Sequence, residues 1–379
     1  MNFNLTDEQS MLSDMLRRFL NEAYTHEVRR KLIAEERDFD GAIFAQLAEL
    51  GVLSALFSED QGGFGGRGAD IMVVFEELGR AGAIDPILSS AVLAGGLIGA
   101  LGNDAQRTLL GDIISGAQCG TFAHYEPQGR YDASYITTKV QKSVDAYVLT
   151  GRKSNVLGGA AADQIIISAR VSGTDNDETG ISLFIVSKDA PGLSIARQST
   201  IDGFSSASII LENVAVNASA RLGEEGKTFP AIETALSRAT LAVCAEALGA
   251  MEAAKDLTVD YARERKQFGK PIGSFQALQH RMADMLIEIE QARSAVVNLA
   301  GHLSAPRAIR ERYVSATKNL IGRAGAKISE ESIQIHGGIG MTDEYALSHF
   351  AKRLVMIDHL FGDVDHHLER FIALSAAGQ

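Results

Sequence analysis

Ile165-Ile166-Ile167, Ile181-Ser182-Leu183-Phe184-Ile185-Val186 and Ile209-Ile210-Leu211 are short apolar runs rich in β-branched residues, set in the middle of the chain. Tyr135-Ile136-Thr137-Thr138 and Tyr147-Val148-Leu149 precede them, and turn formers divide them, as in Ser172-Gly173-Thr174-Asp175-Asn176-Asp177. Runs of this length bounded by Gly, Asn and Asp predict strands. Many such strands in succession predict a small β-barrel or sandwich over residues 119–227. A parallel sheet needs helical crossovers, and none fits between these runs.

On both sides of this segment the apolar spacing becomes helical. Thr6 and Gln9 form a capping-box pattern, and Met11, Met15 and Phe19 with Leu12, Leu16 and Leu20 follow at spacing four. Phe44, Leu47, Leu50 and Leu53 continue the pattern, and Gly62-Gly63-Phe64-Gly65-Gly66 separates them from a helix over 71–78. After Phe229 long helices are predicted at 232–265, 274–303 and 309–335, with one more after Met341. Four long helices with short connections read as a bundle. The expected fold is α+β and mainly α, with an N-terminal helical domain (1–118), a central β domain (119–227) and a C-terminal four-helix bundle (228–379).

The 379 residues are 46% hydrophobic and 22% charged, enough for a sizeable core and unlike a disordered chain. The net charge of -12 argues against a general nucleic-acid surface. Two cysteines, Cys119 and Cys244, exclude a disulfide scaffold or a Cys-rich metal site. The start MNFNLTDEQSML lacks the pattern of a signal peptide, and no run reaches the ~20 apolar residues that span a bilayer. A cytoplasmic protein with no membrane partner is expected.

Two strings follow the β segment. Arg265-Lys266-Gln267-Phe268-Gly269-Lys270-Pro271-Ile272 leads into Phe275-Gln276-Ala277-Leu278-Gln279-His280, and Gln334-Ile335-His336-Gly337-Gly338-Ile339-Gly340-Met341 precedes the last helix. Arg263, Arg265, Lys266 and Lys270 concentrate positive charge suited to phosphate groups. Paired glycines let a backbone approach a ligand closely. In this order, with Tyr125-Glu126-Pro127, Gly151-Arg152-Lys153 and Gly158-Gly159 upstream, the strings resemble the acyl-CoA dehydrogenase family over essentially the whole chain. Ile272-Gly273-Ser274-Phe275-Gln276-Ala277-Leu278-Gln279-His280 and Leu360-Phe361-Gly362-Asp363 carry a narrower likeness to the small subunits of pimeloyl-CoA dehydrogenases.

The resemblance implies FAD as cofactor, an acyl-CoA thioester as substrate and an electron-transferring flavoprotein as electron acceptor. It implies a homotetramer, or an α2β2 heterotetramer with a large subunit, in fatty acid or dicarboxylic acid degradation. Arg265 would reach the pyrophosphate of a flavin held by a neighbouring subunit, with Gln267, Phe268, Gln276, Gln334, Gly337 and Gly338 in the same pocket. His124 and Tyr125 would lie at the strand end beside the flavin ring. Where many members place an aromatic residue and a threonine against the ring, this chain has Asn155 and Leu157.

The reaction so implied is α,β-desaturation, in which a carboxylate removes the Cα proton as hydride moves to flavin N5. The two positions at which members carry this glutamate align with Phe361-Gly362-Asp363 and with Ala239. Glu246, two helical turns beyond Ala239, is the candidate base, with an ion pair inside the bundle as its other reading. Asp363 ranks next. A non-catalytic subunit that completes a partner's flavin site is the alternative function. His359, Asp363 and His367 would share a face if helical, yet no metal is expected. Gly63-Phe64-Gly65-Gly66-Arg67-Gly68 matches a dinucleotide-loop pattern but follows no strand and reads as a plain loop.

Overall fold

A computed structural model describes residues 5–143 and 146–376. The chain forms two compact units: Met1–Lys31, Arg67–Ala83 and Thr240–Gln379 make one, and Leu32–Gly66 with Ile84–Ala239 make the other.

The first unit is helical, and the second also carries helices, α3, α5 and α6 among those that follow. Helix α1 (Asp7–Ala23) starts in the expected capping box, with Thr6 and Gln9 each accepting from the other's backbone N–H. Its buried stripe is Leu12, Leu16 and Leu20, while Met11 is 71% exposed, so the two apolar rows predicted together lie on different faces. Helix α2 spans His26–Ala34, α3 Gly41–Glu49 and α4 Gly68–Ala81. Helices α5 (Gly96–Leu101) and α6 (Asp104–Ile114) follow a π-helix at Leu88–Gly95. Helix α7 (Phe229–Glu264) is the longest, and α8 (Gln276–His302) and α9 (Arg307–His336) pack beside each other. Glycines set the approach of α4 to α7: a Cβ on Gly79 would strike the backbone of Glu246, and one on Gly249 the backbone of Glu76.

The final helix expected after Met341 is two, α10 (Ala346–Asp358) and α11 (Val364–Ala376). Phe361 (φ 59°) and Gly362 (φ 121°) take the chain out of helical geometry between them. Both helices pack on α9, α10 with Leu347, Leu354 and Ile357 buried and α11 through His367 and Arg370, which reach Ser315.

The second unit holds the predicted β segment. Strands β1 (Gly120–Ala123), β2 (Lys139–Lys142), β3 (Ala146–Leu157), β4 (Gln164–Arg170), β5 (Ile181–Ser187), β6 (Leu193–Ser199), β7 (Ser205–Asn217) and β8 (Arg221–Leu222) form one sheet. Their order is β6-β7-β3-β2-β4-β5-β8, with β1 also on β4. Leu149, Ile165, Ile167, Phe184, Ile209, Leu211 and Val214 fill its core.

Two expectations are corrected. β1 pairs with β4 in parallel, Gly120 opposite Gln164 and Ala123 opposite Ile167. The connection needs no helix because residues 124–163 return through β2 and β3 of the same sheet. Tyr135-Ile136-Thr137-Thr138 is not a strand. The backbone N–H groups of Thr137 and Thr138 donate to the Glu126 carboxylate, at 2.7 and 3.0 Å, and a side chain has replaced the ladder.

Candidate functional site

In the β-containing unit, β1 ends at Ala123; His124 and Tyr125 follow it, and Glu126 turns inward. Lys153, wholly buried on β3, donates to Glu126 Oε1 (2.8 Å), to His124 O (3.0 Å) and to Ser168 Oγ (3.0 Å). Thr138 Oγ1 adds a bond to Glu126 Oε1 at 2.6 Å. Burial pushes the Glu126 carboxyl up, but the Lys153 charge and the bonds from Lys153, Thr137 and Thr138 outweigh it and bring the pKa to about 2. Burial brings Lys153 down to about 8 against the pull of Glu126. Burial, then the Lys153 charge, brings His124 down to about 3, so its ring is neutral. The sequence marked Tyr125-Glu126-Pro127 and Gly151-Arg152-Lys153 only as matching strings; their ion pair went unforeseen. Lys153 falls in the same strand alternation as buried Tyr147 and Leu149, which was the available signal.

Downstream of this pair, Asn155 is exposed with φ 51°, and Leu157 offers its carbonyl to Thr121 Oγ1 at 2.6 Å. The loop Gly62–Gly66 is a loop as expected. A Cβ at Gly63 would meet the carbonyls of Ser54 and Phe57, so its glycine serves close packing.

In the helical unit, the basic string forms a two-stranded hairpin, β9 (Lys266–Gln267) with β10 (Lys270–Pro271). Phe268 and Gly269 form its tip with φ 54° and 81°. Phe268 is 92% exposed and meets Phe275 edge-on at 6.1 Å. Lys270 Nζ sits 4.4 Å from the Phe275 ring centre. Arg265, Lys266, Gln267 and Gln276 are exposed, and among the described residues Arg265, Lys266 and Lys270 have no carboxylate partner. Gln334 is also exposed, one turn before the Gly337-Gly338 corner that ends α9.

Gly337 takes φ 68° and ψ −145°, a conformation open to glycine. A Cβ at either Gly337 or Gly338 would meet nothing of this chain within 4 Å. Internal packing therefore does not require Gly338, and the space above both residues is free for a ligand. Unpaired cations and an open glycine corner fit the phosphate-bearing part of FAD.

The candidate bases are engaged. Arg353 Nε donates to Glu246 Oε1 at 2.6 Å and Nη2 to Oε2 at 2.8 Å, with both residues buried. Asp363 Oδ1 accepts the backbone N–H of His366 at 2.9 Å, capping α11. Ala239 is fully buried. The Phe361-Gly362 corner is held from below: buried Lys318 donates to Asp358 O (2.9 Å) and Gly362 O (2.7 Å), and His367 Nε2 to Phe361 O (3.1 Å). The corner also breaks the helical face that would have aligned His359, Asp363 and His367. Among the described residues no cluster of three or more His, Cys, Asp or Glu could hold a metal, and no helix is long and apolar enough to cross a membrane.

The chain matches the acyl-CoA dehydrogenase N-terminal domain over residues 6–117, the middle domain over 121–214 and the C-terminal domain over 226–370. A probable acyl-CoA dehydrogenase of Bacillus subtilis (strain 168) is 31% identical over 378 residues, covering 98% of each chain. The solved butyryl-CoA dehydrogenase of Megasphaera elsdenii superposes with a TM-score of 0.90 at 28% identity, over 99% of this chain and 100% of that one. A chain of the ChsE4-ChsE5 complex from Mycobacterium tuberculosis superposes at 0.89 with 26% identity, over all of both chains. Matched in all three of its segments, the chain belongs to the acyl-CoA dehydrogenase family of FAD-dependent oxidoreductases that act on acyl-CoA.

Proposed function

We propose that this chain is one subunit of a heteromeric acyl-CoA dehydrogenase that desaturates an acyl-CoA thioester at Cα–Cβ, and that the α-proton base comes from its partner. The observation that carries this reading is the bidentate hold of Arg353 on Glu246, which ties both carboxylate oxygens into a buried ion pair. Asp363 is committed to its helix cap. Asn155 and Leu157 at the ring-facing positions, the likeness to pimeloyl-CoA dehydrogenase small subunits, and the similarity to a chain solved as part of a complex support it.

In this reading Arg265, Lys266 and Lys270 offer charge to the pyrophosphate of a flavin held with the partner. Gln267, Phe268 and Gln276 border it, and Gln334, Gly337 and Gly338 admit it closely. His124 and Tyr125 would lie beside the ring of a flavin at the end of β1. Bound FAD supplies the hydride acceptor, and an electron-transferring flavoprotein takes the electrons onward. The small-subunit likeness suggests a dicarboxylyl or other polar acyl chain and a cytoplasmic α2β2 assembly.

In the second reading the chain turns over by itself with Glu246 as base, which requires Arg353 to release it. The absorption spectrum of the chain expressed alone separates the two. A colourless protein that gains flavin and acyl-CoA turnover only with a large-subunit partner supports the proposal. A stoichiometrically yellow protein that bleaches with acyl-CoA supports the second reading.

A further inference from the structure

We propose that His336 is a positioning residue that locks the basic hairpin to the Gly337-Gly338 corner, so that the two anion-facing segments of this chain move as one body. The inference rests on the reading of both segments as flavin contacts.

The hairpin grows from the last turn of α7. Arg265 N donates to Tyr261 O at 2.8 Å, and Ile272 N donates to Arg265 O at 2.8 Å, closing the hairpin on that root. The Tyr261 ring stacks on His336, with centroids 4.4 Å apart and planes 21° apart. His336 is the last residue of α9, and Gly337 follows it directly. One aromatic pair therefore joins the root of the hairpin to the corner.

The imidazole has little freedom. Its Nδ1 lies 2.9 Å from Ser332 O, which only accepts, so Nδ1 carries the proton. Its Nε2, 3.2 Å from Tyr345 Oη, then accepts from that hydroxyl. Burial lowers the pKa of the ring, against hydrogen bonding to the Ser332 and Leu257 backbone. A Cβ on Gly340 would come within 2.9 Å of His336 Cβ, so glycine there makes room for the residue on its other side. The ring is buried, and it acts through the Tyr261 stack and through the backbone.

FAD titration of the full-length protein in its purified assembly, followed by flavin fluorescence, tests this, with thermal unfolding of each variant alongside. His336→Ala is expected to weaken FAD binding about three- to tenfold, the scale of one aromatic pair. His336→Phe keeps the stack and is expected to bind within about twofold of the parent. Tyr261→Ala combined with His336→Ala should lose no more than the larger single loss, because both remove one contact. Parental affinity in His336→Ala overturns the proposal, as does a loss that His336→Phe fails to restore. If His336→Ala does not fold, Tyr261→Ala against His336→Phe carries the same comparison. Arg265→Ala separates the premises: unchanged affinity there overturns the flavin reading itself, whereas a loss there with none in His336→Ala overturns the role of His336 alone.

Discussion

Arg353 holds Glu246 through both carboxylate oxygens, from α10 to α7 and across 107 residues of sequence. Breaking a buried pair by removing one charge leaves the other desolvated, a cost of about 3–5 kcal/mol. Glu246→Gln is therefore expected to lower the unfolding free energy by about that amount in urea titrations while turnover per bound flavin in the assembly persists. Abolished turnover with unchanged stability would make Glu246 the base instead.

Acid should weaken the β-containing unit in two stages. His124 titrates at 6.5 when unperturbed and at about 3 in the fold. The unfolded chain therefore binds its proton first, and stability falls as pH drops from 6.5 towards 3. Glu126, unperturbed at 4.5 and held at about 2, gives stability that is complete above 4.5 and lost as pH falls through 2. Thermal melts from pH 7 downward should steepen below 4.5, and His124→Leu should flatten the upper part of the profile. A profile flat down to pH 4 would contradict the His124 assignment, and one without further loss between 4.5 and 2 the Glu126 assignment.

Phe268 exposes 92% of its surface at the hairpin tip. Its truncation removes almost no internal packing, so Phe268→Ala should change stability by no more than about 0.5 kcal/mol. If the tip serves a flavin or a neighbouring subunit, the same variant should weaken flavin retention or assembly, read by size-exclusion chromatography with flavin absorbance. A variant unchanged in both would remove Phe268 from the site.

Lys318 is buried and spends its donors on two carbonyls of the α10–α11 connection, Asp358 O and Gly362 O. Lys318→Met keeps the length and removes the donors, with an expected loss of about 2–3 kcal/mol. Hydrogen exchange should quicken in peptides covering 358–367 before it does in α8. Uniform quickening would mean that the lysine supports the whole bundle and not this corner in particular.

Local chemistry explains what was readable from the amino acids. The Thr6–Gln9 box starts α1, the runs at 147–149, 165–167, 181–186 and 209–211 lie in strands, and the long helices stand close to their predicted limits. Each depends on neighbours a few residues away, through caps, turn formers and the spacing of apolar side chains. The ordered strings around Arg265, Gln334 and Tyr125 likewise pointed to the family, because residue types at fixed spacing survive without coordinates.

Partnership was decided only in three dimensions. Glu246 reads equally as a base or as half of an ion pair until Arg353 arrives from 107 residues away. Thr137 and Thr138 have strand character, yet Glu126 takes their N–H groups and ends the ladder before it starts. Lys153 on β3, the parallel pairing of β1 with β4, and the stack of Tyr261 on His336 join distant segments in the same way. The reason is desolvation: a carboxylate, an ammonium or a backbone N–H changes its chemistry according to what excludes water from it, and that neighbour is chosen by packing.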